Sequence, residues 1–308
     1  MTGGTGFIGG ALVRALVTRG DSVVVLTRQP QAAPPADAAL GSTGALEFRV
    51  WEPQSEGQWQ RCVDGVDAVV HLAGAPLVGK RQTAARLREA RESRVRSAEL
   101  VVEGMRRATQ PPRVFVSGSA VGYYGGAHGA EPLDEDAPPG RDDLAELCVA
   151  WEAAAAKATE LGVRVVLSRS GVVLGPDGGA LPLMALPVRF FVGGPLGSGT
   201  QMVPWIHLDD AVAALVRFLD DPALSGPVNV TAPEPVTNEA LTRSIAGALG
   251  RPSWLRVPKL ALRLALADGA EAVLGGQRAV PRKLQERGFT FRYPRVDEAV
   301  RAALSQPA

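Results

Sequence analysis

The stretch Thr2-Gly-Gly-Thr-Gly-Phe-Ile-Gly9 decides how the rest of this chain is read. Gly3, Gly6 and Gly9 fit G-x-x-G-x-x-G, and Gly4, Gly6 and Gly9 equally fit G-x-G-x-x-G. The physics is common to both spacings. Glycines permit a tight turn and let the backbone approach a pyrophosphate, and a helix that follows aims its first N–H groups at the phosphate charge. The pattern supplies that helix, because Ala11 to Thr18 is apolar-periodic. The β-branched run Val23 to Thr27 comes next and reads as a buried parallel strand. A dinucleotide is therefore expected against Gly3, Thr5, Gly6, Phe7 and Ile8. At the end of that strand an NAD site carries an acid for the ribose 2′-hydroxyl. Here Thr27 and Arg28 stand in its place, and a planar guanidinium suits a 2′-phosphate. The expected cofactor is NADP(H).

Only Met1 precedes Thr2, whereas a central strand of about five apolar residues leads into such a turn. The native chain is expected to begin several residues upstream of Met1.

Working outward, short apolar runs alternate with helical ones. Leu46–Trp51, Ala68–Leu72, Arg113–Ser117, Arg164–Ser170 and Val228–Thr231 read as strands. Thr83–Ala108, Leu144–Glu160 and Asp209–Asp220 read as helices, and Gln29–Gly44 as a loop rich in Pro, Ala and Gly. This alternation predicts an α/β fold, a Rossmann-like doubly wound parallel sheet, with a smaller C-terminal substrate lobe. Residues 1–173 and about 206–232 are assigned to the sheet domain, and about 174–205 and 233–308 to the lobe. From Pro235 onward the pattern is helical, broken by Pro252, Pro258 and Pro281.

Lys and Arg number 33 and Asp and Glu 32, so charge gives no sign of a nucleic-acid or membrane partner. Cys62 and Cys148 form no metal motif, and His71, His128 and His207 show no ligand spacing, so no metal is expected. No run is long enough to span a bilayer and no signal peptide precedes the first motif, so a cytoplasmic protein is expected.

Several stretches together resemble the extended short-chain dehydrogenase/reductases. Thr2–Gly9 resembles their fingerprint, and His71-Leu-Ala-Gly74 the strand end beside the cofactor. Ser117-Gly-Ser-Ala-Val-Gly-Tyr-Tyr-Gly125 is similar to the Ser-bearing strand end, and Trp205-Ile-His-Leu-Asp-Asp210 to the return of the chain to the sheet. Gln277 to Pro281 and Leu284 to Tyr293 resemble the C-terminal module of the epimerase branch, often labelled NAD-dependent epimerase/dehydratase. The resemblance implies cofactor contacts from Leu72, Ala73, Gly74 and Ser117. It implies an epimerase or oxidoreductase acting on a small polar or nucleotide-sugar-like substrate. Helices of such a fold often build a homodimer, although Thr83 to Ala108 is charged over much of its surface.

Members with known chemistry use Ser or Thr with a Tyr and a Lys four residues apart, on one helix face. The matching helix here holds Cys148 and Glu152 in those places. A carboxylate beside a thiol raises its pKa, so Cys148 reads as a buried small residue. Lys157, nine positions after Cys148, falls about 180° around the helix and faces away. The candidate catalytic residues are Ser119, as donor to a substrate oxygen, with Tyr124 and Glu152. Lys80, Arg81, Arg169 and Trp205 are candidate substrate contacts. His207 reads as structural, and Asp209 and Asp210 as the cap and first turn of the next helix. Loss of the Tyr/Lys pair keeps a second reading open, a catalytically degenerate NADP(H)-binding protein that senses redox state or regulates a partner.

Overall fold

Parallel strands cannot face water on either side, so short β-branched runs need helices above and below. The computed structural model, which describes residues 1–29, 45–75, 83–260, 262 and 274–305, meets that need. Helix α1 (Phe7–Arg19) leads to strands β1 (Val23–Thr27) and β2 (Leu46–Val50). Strand β3 (Ala68–His71), helix α2 (Ala84–Arg107) and strand β4 (Val114–Ala120) follow. Next come β5 (Ala127–Leu133), α3 (Asp143–Ala156), β6 (Arg164–Ser170), β7 (Val172–Leu174) and α4 (Leu181–Arg189). Then β8 (Met202–Val203), β9 (Trp205–His207), α5 (Leu208–Asp220), β10 (Gly226–Val230), β11 (Val236–Thr237) and α6 (Asn238–Leu249). The described chain closes with β12 (Gly276–Ala279), α7 (Arg282–Glu286) and α8 (Val296–Ser305).

Strands β10, β6, β4 and β3 pair in that order, all parallel, and β1 pairs with β2 in the same sense. Met1 and Thr2 lie between the two groups. Thr2 makes parallel bridges to Leu26 and to His71, and Leu26 N–H donates to Met1 O at 2.8 Å. Strand order reverses beside Thr2, and an α/β sheet binds its ligands at such a reversal.

Alternation along each strand divides the core. Val70, Val116, Val166 and Val228 meet Leu12 and Leu16 of α1 and Leu215 and Phe218 of α5 on one face. Val69, Phe115 and Val165 meet Leu100, Val101 and Met105 of α2 and Ala155 of α3 on the other. A further core gathers Leu181 and Val188 of α4, Leu241 and Ile245 of α6, and Ala299 and Val300 of α8 around Trp205.

Four expectations are amended. Strand β4 runs to Ala120, past the expected end at Ser117, because β6 pairs with it through Ser170. Helix α3 gives way at Ala156 to a 3₁₀ turn over Lys157–Leu161. Gly276–Ala279 is a strand, not helix, since it pairs in parallel with β5 and tertiary pairing overrides local propensity. The cap of α5 is His207, whose Nδ1 accepts from Asp209 N–H at 3.1 Å, because the helix starts at Leu208. Asp210 is buried and accepts from the backbone N–H groups of Arg292 and Tyr293 at 2.7 and 3.0 Å. Of the expected loop Gln29–Gly44, residues 30–44 lie outside the described residues. Among the described residues no helix is long and apolar enough to cross a membrane.

Candidate functional site

The glycine turn explains itself sterically. Gly3 has φ 71°, and a Cβ there would lie 2.7 Å from the Leu72 carbonyl carbon. A Cβ on Gly9 would lie 2.0 Å from Gly3 O, closer than any side chain allows. Gly6 is the N-cap of α1, with no side chain capping the helix and no acid in its first turn. The first N–H groups and the positive end of the helix dipole are therefore left for an anion.

A cleft of about 980 Å³ opens over this turn, lined among others by Gly3, Thr5, Gly6, Thr27, Arg28, Leu72, Ala73 and Gly74. Its size is that of a cofactor site, and exposed Arg28 stands at the end of β1. These residues fit a dinucleotide phosphate. Phe7 packs its ring against Gly175, Gly178 and Gly179, and Ile8 packs on the core, so both offer a ligand their backbone. Ser117 is fully buried in the sheet, its hydroxyl donating to Gly118 O at 3.2 Å.

His71 holds the cleft wall from beneath. Its Nδ1 lies 2.7 Å from Thr2 Oγ1 and its Nε2 3.1 Å from Ser97 Oγ. Thr2 Oγ1 in turn accepts from Ala73 N–H at 3.3 Å. Burial, helped by the charge of Arg94, pushes the His71 pKa down to about 3, so the ring is neutral. The motif alone leaves His71 without a role; burial beside Thr2 supplies one.

A second cluster lies across the sheet. Ser119, Arg169 and Asn229 are register partners on β4, β6 and β10, so the pleat turns all three to one face. Helix α3 adds Glu152. Ser119 Oγ donates to Glu152 Oε1 at 2.6 Å, and Arg169 donates to both Glu152 oxygens at 2.8 Å. Arg169 NH1 also donates to Tyr124 Oη at 3.0 Å, and Tyr124 Oη donates to Asn229 Oδ1 at 2.8 Å. Asn229 Nδ2 donates to Val280 O at 2.9 Å, and Lys283 N–H donates to buried Glu135 at 3.3 Å. Burial opposes the Arg169 charge, but the hydrogen bonds and charge of Glu152 more than offset it and hold the guanidinium above its ordinary range. Burial pushes Tyr124 up to about 12. Burial, then the Glu152 charge, pushes the Cys148 thiol up to about 12 and keeps it protonated. Lys157 faces away and pairs with Glu99 at 3.1 Å.

The structure thus joins Ser119, Tyr124, Glu152 and Arg169 in one network. Arg169, expected at the substrate, is instead 2% exposed, with its donors directed at Glu152, Tyr124 and the Glu135 carbonyl. Trp205 is corrected too: its ring is fully buried in the α4/α6/α8 core and its Nε1 donates to Glu234 O at 3.0 Å. Lys80 and Arg81 lie outside the described residues. Tyr123, Glu135 and Asn229 escaped the sequence reading. Arg169 stacks 3.4 Å from the Tyr123 ring centroid, and only strand register brings Asn229 beside it.

Comparison with known proteins agrees with this geometry. The NAD dependent epimerase/dehydratase family matches residues 1–231, and a domain of unknown function, DUF1731, matches residues 257–303. The epimerase family protein SDR39U1 homolog, chloroplastic, of Arabidopsis thaliana is 42% identical over 99% of this chain and 86% of its own. The crystal structure of human epimerase family protein SDR39U1 (isoform 2) with NADPH superposes with a TM-score of 0.86 at 31% identity, covering 99% of this chain and 98% of that one. A nucleoside-diphosphate sugar epimerase from Corynebacterium glutamicum gives a TM-score of 0.75 at 34% identity, over 98% of this chain and 57% of that one. With a Rossmann-like sheet, a phosphate turn and that C-terminal module, the chain belongs to the NAD dependent epimerase/dehydratase family, in the epimerase branch of the extended short-chain dehydrogenase/reductases.

Proposed function

We propose that this protein is an NADP(H)-dependent epimerase or oxidoreductase for a small polar, nucleotide-sugar-like substrate. The observation that carries the cofactor is the uncapped α1 terminus opening into a cleft that ends at Arg28. The human relative crystallised with NADPH supports the same cofactor. The Corynebacterium relative's description as a nucleoside-diphosphate sugar epimerase supports the substrate class.

When bound, the nicotinamide supplies hydride transfer. The chain's own residues handle the proton. Ser119 Oγ meets a substrate hydroxyl at the carboxyl end of β4, and Oγ itself lies 2.6 Å from Glu152 Oε1, to which it donates its proton. A proton leaving the substrate passes to Ser119 Oγ while the Ser119 proton passes to Glu152. Arg169 fixes the Glu152 carboxylate for that transfer. This Ser–Glu pair takes over the task that Tyr and Lys perform in other members.

One observation favours the regulatory reading: Ser119 and Glu152 are only 6% and 7% exposed, and Glu152 already has three donors. Two measurements decide. Calorimetric titration is expected to show NADPH binding more tightly than NADH, with the preference lost in Arg28→Asp. No binding of either cofactor to the wild type sinks the cofactor assignment. Incubating the loaded protein with a panel of nucleotide-sugars then separates the readings. Turnover that falls at least 100-fold in Ser119→Ala supports the enzyme, and an inert cofactor supports the regulator.

A further inference from the structure

Helix α2 carries a guanidinium, that of Arg94, without a counter-charge among the described residues. Arg94 is half-buried, and its Nε is enclosed with no hydrogen-bond partner. NH1 is taken by two carbonyls, Ala75 O at 2.9 Å and Ala90 O at 3.3 Å. No carboxylate among the described residues pairs with the group, and its one favourable charge neighbour is the Cys148 thiol, which is protonated. Arg169, by contrast, is matched by both oxygens of Glu152. Enclosing a cation without a partner is unfavourable, so a fold that keeps one needs a reason.

The surroundings give that reason. A Cβ on Gly74 would lie 2.9 Å from Arg94 Cζ, and Gly74 and Ala75 line the cleft. Ser93 and Ser97, on the same helix, line it as well. Arg94 also stands 5.1 Å from the centroid of the Trp151 ring. Trp151 precedes Glu152 in the chain, and a Cβ on Gly118 of β4 would lie 3.0 Å from that ring. Arg94 therefore sits at the carboxyl ends of β3 and β4, where such a sheet receives ligands.

We propose that Arg94 receives an oxyanion, a carboxylate or a phosphate, carried by the dinucleotide or by the second substrate. The inference rests on the dinucleotide reading above and deepens it. The Nε–NH2 edge carries no bond, and that edge is the planar fork a guanidinium presents to an oxyanion. The half-buried cation is then an unfilled half of an ion pair that the ligand completes.

The full chain as wild type, Arg94→Met and Arg94→Lys tests this. Each is titrated with NADPH, and each NADPH-saturated protein is then titrated with inorganic phosphate and with malonate. If the oxyanion belongs to the dinucleotide, Arg94→Met weakens NADPH about tenfold or more and Arg94→Lys less. If it belongs to the second substrate, NADPH affinity is unchanged, and phosphate or malonate binds the loaded wild type but not loaded Arg94→Met. In either case cofactor-free Arg94→Met melts no lower than wild type, since a lone buried charge has gone. The inference is overturned if NADPH affinity is unchanged and neither anion distinguishes wild type from Arg94→Met. It is also overturned if cofactor-free Arg94→Met melts lower or fails to fold, the mark of an arginine that only ties down Ala75. A wild type that binds no NADPH sinks the dinucleotide reading instead, and anion titration of the unloaded proteins then still decides for or against Arg94.

Discussion

Glu152 and Arg169 show how much one buried pair can hold. Both are under 10% exposed, and each answers the other's charge through two hydrogen bonds at 2.8 Å. Removing one partner leaves the other charge buried alone, which costs about 3–5 kcal/mol. Glu152→Gln is therefore expected to lose about that much in urea unfolding, and Arg169→Met a similar amount. The double variant recovers most of the loss, because nothing charged is left behind. Single-variant losses under about 1 kcal/mol would mean that water reaches the pair. Cys148 holds the helical place of the family's Tyr, but burial pushes its thiol up to about 12 and it takes no part as a base. At this scale the sequence was a partial guide. The identities of Ser119, Tyr124 and Glu152 could be picked out by position. Their mutual bonding could not, because it runs through Arg169, 45 residues beyond Tyr124 along the chain.

Helix α3 delivers Glu152, so its start matters to the site. Asp142 caps it, accepting from Ala145 N–H at 2.9 Å and, through its other oxygen, from Gly126 N–H at 2.8 Å. Asp142→Ala is expected to cost about 1 kcal/mol in chemical denaturation, and Asp142→Asn clearly less. Equal losses for the two would show that the cap needs both carboxylate oxygens or their charge, since Asn keeps only one acceptor. The sheet strands were legible because β-branched runs between polar ends have one reading. The helices α2 and α5 were legible to within a residue from their apolar period, whereas α1 begins at Phe7, four residues before the expected Ala11, because the helix starts inside the glycine turn. Strand β12 was not. Gln277 and Arg278 carry no strand pattern, and β5 alone induces their pairing. The start of α5 was misread because His207, a residue seldom chosen as a cap, does the capping.

Over the whole molecule, the neutral His71 links stability to pH. Its folded pKa, about 3, lies below the unfolded value near 6.5, because burial disfavours the charged ring. Between those two values the unfolded chain binds a proton that the folded one refuses. Stability is therefore complete above about pH 6.5 and falls as pH drops toward 3, by up to about 1.4 kcal/mol per unit. Melting temperatures measured from pH 6 to 4 are expected to fall more steeply for wild type than for His71→Asn; parallel slopes would remove His71 from the account. The division of labour along the chain has another consequence. The glycine turn takes its partners from Leu26 and from Val70 to Ala73, yet Asn229 and Glu135 find their last partners at Val280 and Lys283. A ribosome making this protein has therefore released every partner of the glycine turn about 200 residues before it releases the residues that fasten the Ser119 row, so that row is anchored late in synthesis.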